Sequence, residues 1–142
     1  MILTRRSLPA TTLALPAVAR ARTFEEPMRL RCRFIDQDFT CALVDTPTTR
    51  DLMSLLPLAL TIEDFSTNEK IAHLPRRLDE GGLVDFNDEA PGDLCYFIGW
   101  GNLAFFRAGC TYRRDLIRLG RTQGPVTPLL VRGTYPLQLD LS

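Results

Sequence analysis

The sequence predicts a mainly β domain, a closed or nearly closed antiparallel barrel with one short helix. Three observations carry that expectation. Residues 28–34 and 39–43 alternate apolar and polar side chains with a period of two, as half-buried strands do. Aromatic residues crowd both arms of a hairpin-like stretch around Gly99-Trp100-Gly101-Asn102. Only one stretch, opened by Thr46-Pro47, has helical spacing, so many short strands and one compact helix share a single core. A chain of 142 residues, 45% hydrophobic and 24% charged, is long enough to bury that core in one domain.

Residues 1–21 read differently from the rest. They hold Arg5, Arg6 and Arg20 with no acidic residue, then an apolar run over residues 8–19, then Ala17-Val18-Ala19 and Ala19-Arg20-Ala21 as small-x-small cleavage candidates. The paired arginine followed by leucine in Thr4-Arg5-Arg6-Ser7-Leu8 looks like a twin-arginine signal peptide. Pro9 and Pro16 interrupt the run, which falls short of the roughly twenty apolar residues a spanning helix needs. The expectation is export to the periplasm, a mature domain over residues 22–142, and no membrane anchor once the leader is removed. Without the leader, fourteen basic side chains face seventeen acidic ones. A mildly acidic surface repels phosphate, which argues against a nucleic-acid partner.

In chain order, Met28, Leu30, Cys32 and Phe34 share one strand face, with Arg29, Arg31 and Arg33 on the solvated one. With Asp36-Gln37 as a two-residue loop, Phe34 faces Phe39 and Cys32 faces Cys41 at a non-hydrogen-bonded site, where facing side chains lie closest. A Cys32–Cys41 disulfide is geometrically possible there, and so is simple packing of two small apolar thiols. Thr46 caps a helix with Pro47 at its first position, and Leu52, Leu55 and Leu56 lie on one face until Pro57. Leu58, Leu60 and Ile62 alternate in a strand running to about residue 64. Residues 65–70 read as a polar turn, 70–78 as an extended piece around Pro75, and 79–92 as a glycine-rich acidic loop. The hairpin of 93–98 and 103–107 follows, then a strand at 116–121. The segment 123–142, with Pro125, Pro128 and Pro136, reads as a surface wrap or one edge strand.

Four of these strings, DTPTTRDLMSLLPLALTIEDF at 45–65, EKIAHLPRRL at 69–78, PGDLCYFIGWGNLAFF at 91–106 and LIRLGR at 116–121, together resemble the bacterial cyclophilin-like domain family. The resemblance implies a cyclophilin-like closed β-barrel and carries no activity with it. True peptidyl-prolyl isomerases of the cyclophilin class use an arginine beside a groove lined by phenylalanine and histidine, and their glycine-rich and arginine-bearing strings are absent here. No residue is therefore assigned as catalytic, and no glycine-rich phosphate loop or other cofactor motif is present in the sequence.

Candidate site residues come from the residue types themselves. Trp100 between two glycines is either a stacking wall for a ligand or a plug of the barrel, with Asn102 bonding the turn backbone. With Tyr96, Phe105 and Arg50 they form the expected pocket for a small molecule or an extended peptide. His73 is the single histidine and reads as a packed or surface residue rather than a general base. Metal binding is not expected, because Cys32, Cys41, Cys95 and Cys110 form no C-x-x-C pair. Asp85, Asp88 and Glu89 lack the spacing of a calcium loop. The competing expectations are a peptidyl-prolyl isomerase of exported proteins and a structural protein-interaction domain.

Overall fold

The computed structural model describes residues 28–142, and the leader expected over residues 1–21 lies outside them. Eight strands alternate with one helix: β1 (Arg29–Phe34), β2 (Gln37–Leu43), α1 (Pro47–Ser54), β3 (Leu58–Phe65), β4 (Glu69–His73), β5 (Asp93–Phe97), β6 (Asn102–Phe106), β7 (Leu116–Thr122) and β8 (Tyr135–Leu141). They close into an antiparallel barrel in the order β1-β2-β7-β5-β6-β4-β3-β8. The expected mainly β barrel with a single short helix is what forms. Its last strand differs from expectation: β8 is no edge but sits between β1 and β3, pairing Cys32 with Leu139 and Leu60 with Leu137. Pro136 is tolerated inside β8 because its missing N–H falls near the strand's start.

The β1–β2 hairpin also turns one residue earlier than expected. Its loop is Ile35-Asp36, with Ile35 exposed and in the left-handed region at φ 51°, so Phe34 pairs with Gln37, Cys32 with Phe39 and Leu30 with Cys41. Both registers put the same side chains inside, so period-two patterning does not distinguish them. The observed one places Asp38 across from Arg33, where it takes a bidentate pair from Arg31 at 2.6 and 3.0 Å. Cys32 and Cys41 consequently do not face each other, and both are free, buried thiols. Burial pushes the Cys32 thiol up.

Helix α1 starts on a reciprocal cap: Thr46 Oγ1 accepts from the Thr49 N–H at 3.2 Å, and Thr49 Oγ1 accepts from the Thr46 N–H at 2.9 Å. Its Leu52 is wholly buried in the barrel core with Leu30, Leu94, Leu103 and Ile117. Strand β7 passes close to β2 at Gly120, where any Cβ would collide with the Ala42 carbonyl, so glycine is required by contact.

One row of the interior is charged. Asp64 and Lys70 are direct cross-strand partners, and Lys70 has no exposed surface. Its Nζ lies 3.0 Å from Asp64 Oδ1 and 5.6 Å from the centre of the Phe34 ring. Arg107 Nη1 donates to the same oxygen at 2.7 Å, and the Gly133 N–H donates to Oδ2 at 2.7 Å. Burial opposes ionisation of Asp64, but the Gly133 amide, Lys70 and Arg107 together hold its carboxyl well below the usual carboxylate range.

Asp64→Ala should cost about 3–5 kcal/mol in urea unfolding, since it leaves two buried cations without their counter-ion; a loss under about 1 kcal/mol would contradict this reading. Because the folded carboxyl is depressed, the stability it contributes is complete above about pH 4 and is lost as pH falls through its folded value. The acid limb of the stability curve should therefore be shallower in Asp64→Asn than in the parent protein.

Candidate functional site

The same register that turns Lys70 inward turns Glu69 outward. On the outer face of the barrel, Phe65, Glu69 and Phe106 stand in one cross-strand row. Ile71, Ala104 and Cys95 form the next, and His73, Asn102 and Phe97 the third. Aromatic and aliphatic residues thus occur on both faces of β5 and β6, and a second small core of Cys95, Ala104, Phe106 and Leu116 packs outside the barrel. Phe86, Phe97 and Cys110 pack against it. Phe86 meets Tyr112 at 4.9 Å and lies under the Arg118 guanidinium at 4.5 Å. Two residues of the acidic loop hold this cover in place, Asp85 accepting from the Tyr112 hydroxyl at 2.6 Å and Asp88 pairing with Arg118 at 2.7 Å.

This cover stops short of the Glu69 end, leaving a cleft of about 410 Å³. Its floor is the outer face just described, and its walls are Phe65, Phe97 and Trp100. Three turns make the rim. Ser66, at φ 54°, starts the β3–β4 turn, and Gly101, at φ 67°, ends the β5–β6 turn. The segment after β6 is tied to the first of these, with Asn68 Nδ2 donating to the Gly109 carbonyl at 3.3 Å and the Arg107 N–H donating to the Asn68 carbonyl at 2.9 Å. Trp100 is 66% exposed and meets Phe65 edge to face at 6.0 Å, so it does not plug the barrel. Asn102 donates from Nδ2 to the Leu103 carbonyl at 3.1 Å, a bond that does not use its side-chain oxygen as an acceptor.

The five residues expected to share a pocket are divided by this geometry. Trp100 and Asn102 line the cleft together. Tyr96 and Phe105 do not, because strand alternation points both into the core. The Tyr96 hydroxyl accepts from the Leu78 N–H at 3.1 Å, and Phe105 packs edge to face on Phe39 at 6.1 Å. Arg50 lies on the exposed face of α1, bonded to Asp45 at 2.6 and 2.8 Å, and is not among the cleft residues. His73 is exposed beside Trp100 at the outer end of β4.

Glu69, Phe65, Phe97 and Arg113 belong to the cleft and went unread in the sequence. Glu69 is only 6% exposed, and among the described residues nothing donates a hydrogen bond to its carboxylate. Burial raises its pKa, and the Arg113 charge partly offsets that. Arg113 itself lies 5.6 Å from the centre of the Phe97 ring and pairs with Asp115 at 3.3 Å. The readable signal was the alternation Glu69, Ile71, His73 against Lys70, Ala72, Leu74, which marks a strand beginning at Glu69. Among the described residues no group of three or more His, Cys, Asp or Glu is placed to hold a metal ion.

Trp100 is the single tryptophan, so it reports the cleft directly. Its fluorescence should sit at the red, water-exposed end and be fully quenched by acrylamide; blue-shifted, shielded emission would contradict the exposed rim position.

A profile of the cyclophilin-like family matches residues 32–138. No curated protein sequence matches the chain. The fold is similar to the solution structure of a hypothetical protein from Archaeoglobus fulgidus, with a TM-score of 0.62 over 82% of this chain and 95% of that one. Sequence identity with it is 17%, so the likeness speaks for the fold alone. With most of the barrel inside the matched span, the chain belongs to the cyclophilin-like family.

Proposed function

We propose that this protein is an exported binding domain that takes a small molecule or an extended peptide in the cleft on the outer face of β4, β6 and β5. The observation that supports it is a concave surface walled by Phe65, Phe97 and Trp100, with the polar groups of Glu69 and Asn102 at its base. Aromatic walls supply contact area at low entropic cost, while the few polar groups at depth fix orientation. Export is proposed from the ordered basic, apolar and small-residue regions of residues 1–21.

Isomerisation of X-Pro bonds is the second reading, and one feature favours it: Arg113 lies over Phe97 on the cleft wall, where a guanidinium could meet a peptide carbonyl. Fold analogy adds little to that.

The two separate in one set of measurements. Small aromatic compounds and short proline-containing peptides, titrated against Trp100 fluorescence, should bind saturably, and Phe65→Ala should weaken binding by roughly tenfold, the loss of one aromatic wall. In a proline-peptide isomerisation assay the rate should stay at the uncatalysed level. Turnover that disappears in Arg113→Ala would replace the binding reading with the isomerase one, and failure of every compound to bind would overturn the site.

A further inference from the structure

Glu69 is a nearly buried carboxylate that accepts no hydrogen bond from any described residue, with only the Arg113 charge acting in its favour. Asp64 collects Lys70, Arg107 and the Gly133 amide, and buried Asp93 holds Arg121 at 2.6 Å. Glu69, almost as buried, sits in register between Phe65 and Phe106 with Ile71 two residues on, and no described residue donates to it. A carboxylate that is largely desolvated at the floor of an open cleft and accepts no hydrogen bond from the described chain gains from a donor that enters from outside. The charged and titratable groups that act on it from the packed elements are Arg113, Cys95 and Cys110. Burial pushes the Cys95 and Cys110 thiols up, which keeps them neutral, and Arg113 is engaged with Phe97 and Asp115 at the rim.

We propose that the cleft recognises a protonated nitrogen, an ammonium, amidinium or guanidinium group on an apolar body, with Glu69 as its anchor at the floor. This rests on the reading of the cleft as a ligand site and names the class of ligand. Apart from Arg113, whose charge is paired with Asp115, the lining favours a cation. The carboxylate accepts charge-assisted hydrogen bonds from the cation, and the aromatic rings of Phe65, Phe106 and Trp100 that line the cleft are suited to a positive charge on an apolar body. The Asn102 carbonyl oxygen is a further acceptor for N–H groups. An anion would meet Glu69 with like charge, and a neutral amide would satisfy the hydrogen bonds but not the charge.

Benzamidine, benzamide and benzoate share one ring and differ in charge, so their titration against Trp100 fluorescence isolates the effect. Benzamidine should bind roughly tenfold or more tightly than benzamide, with benzoate weakest. Glu69→Gln, which keeps the shape, should erase the difference while leaving benzamide unchanged. Glu69→Asp, which keeps the charge on a shorter stem, should retain a reduced preference and serves if the glutamine variant fails to fold. Equal binding of benzamidine and benzamide by the parent protein overturns the cation assignment and leaves the ligand site standing. A preference that survives in Glu69→Gln overturns Glu69 as anchor, and no binding by any of the three overturns both readings.

Discussion

The arrangement of this barrel hangs on the burial of Lys70 opposite Asp64. A lysine inside a closed barrel is expensive unless its charge is met at once, and the directly facing carboxylate, shared with Arg107, meets it. That pairing fixes the parity of β4. A one-residue slip would turn Lys70 to the outside and bring Glu69 into the interior against Asp64, replacing an ion pair with two like charges. Once Lys70 is inside, Glu69 and Ile71 are outside, and the chemistry of the outer face follows from a constraint set within the core.

What happens on that outer face depends on coverage. Most two-sided burial in an antiparallel barrel is unnecessary, since the outer face ordinarily meets water. Here β5 and β6 are buried on both sides because residues 84–92 and the segment after β6 fold over them, anchored by the Phe86–Tyr112 contact and by Asp85 and Asp88. The cover ends before Glu69, and the turns at Ser66 and Gly101 raise Phe65 and Trp100 as walls around the part left open. The cleft is therefore the remainder of an apolar surface whose other portion is covered by the chain itself.

Much of the architecture was legible in the sequence. Period-two alternation revealed β1, β2 and β3, and Thr46-Pro47 revealed the helix start, because those signals are local. The hairpin register was not legible, since the two candidate registers bury the same side chains and differ only in where Asp38 meets the arginines. The closing role of β8 was hidden by Pro136, which reads as an edge signal when the neighbouring strands are unknown. The site was half legible for a similar reason. Trp100 and Asn102 announce themselves by their turn, while Glu69-Lys70 looks like the charged end of a polar loop, although one residue is a core cation and the other a cleft carboxylate. Aromatic density pointed to Tyr96 and Phe105, but on a doubly covered strand density does not say which face a ring occupies.

Among the described residues, no group donates a hydrogen bond to the Glu69 carboxylate on the cleft floor. The carboxyl carbon resonance of Glu69, followed by NMR through a pH titration of the ligand-free protein, reads the consequence. Its midpoint should lie above the ordinary glutamate range, because desolvation outweighs the Arg113 charge. A midpoint at or below that range would mean that Arg113 or another donor already occupies the carboxylate, and the cleft would have no unmet charge to offer a ligand.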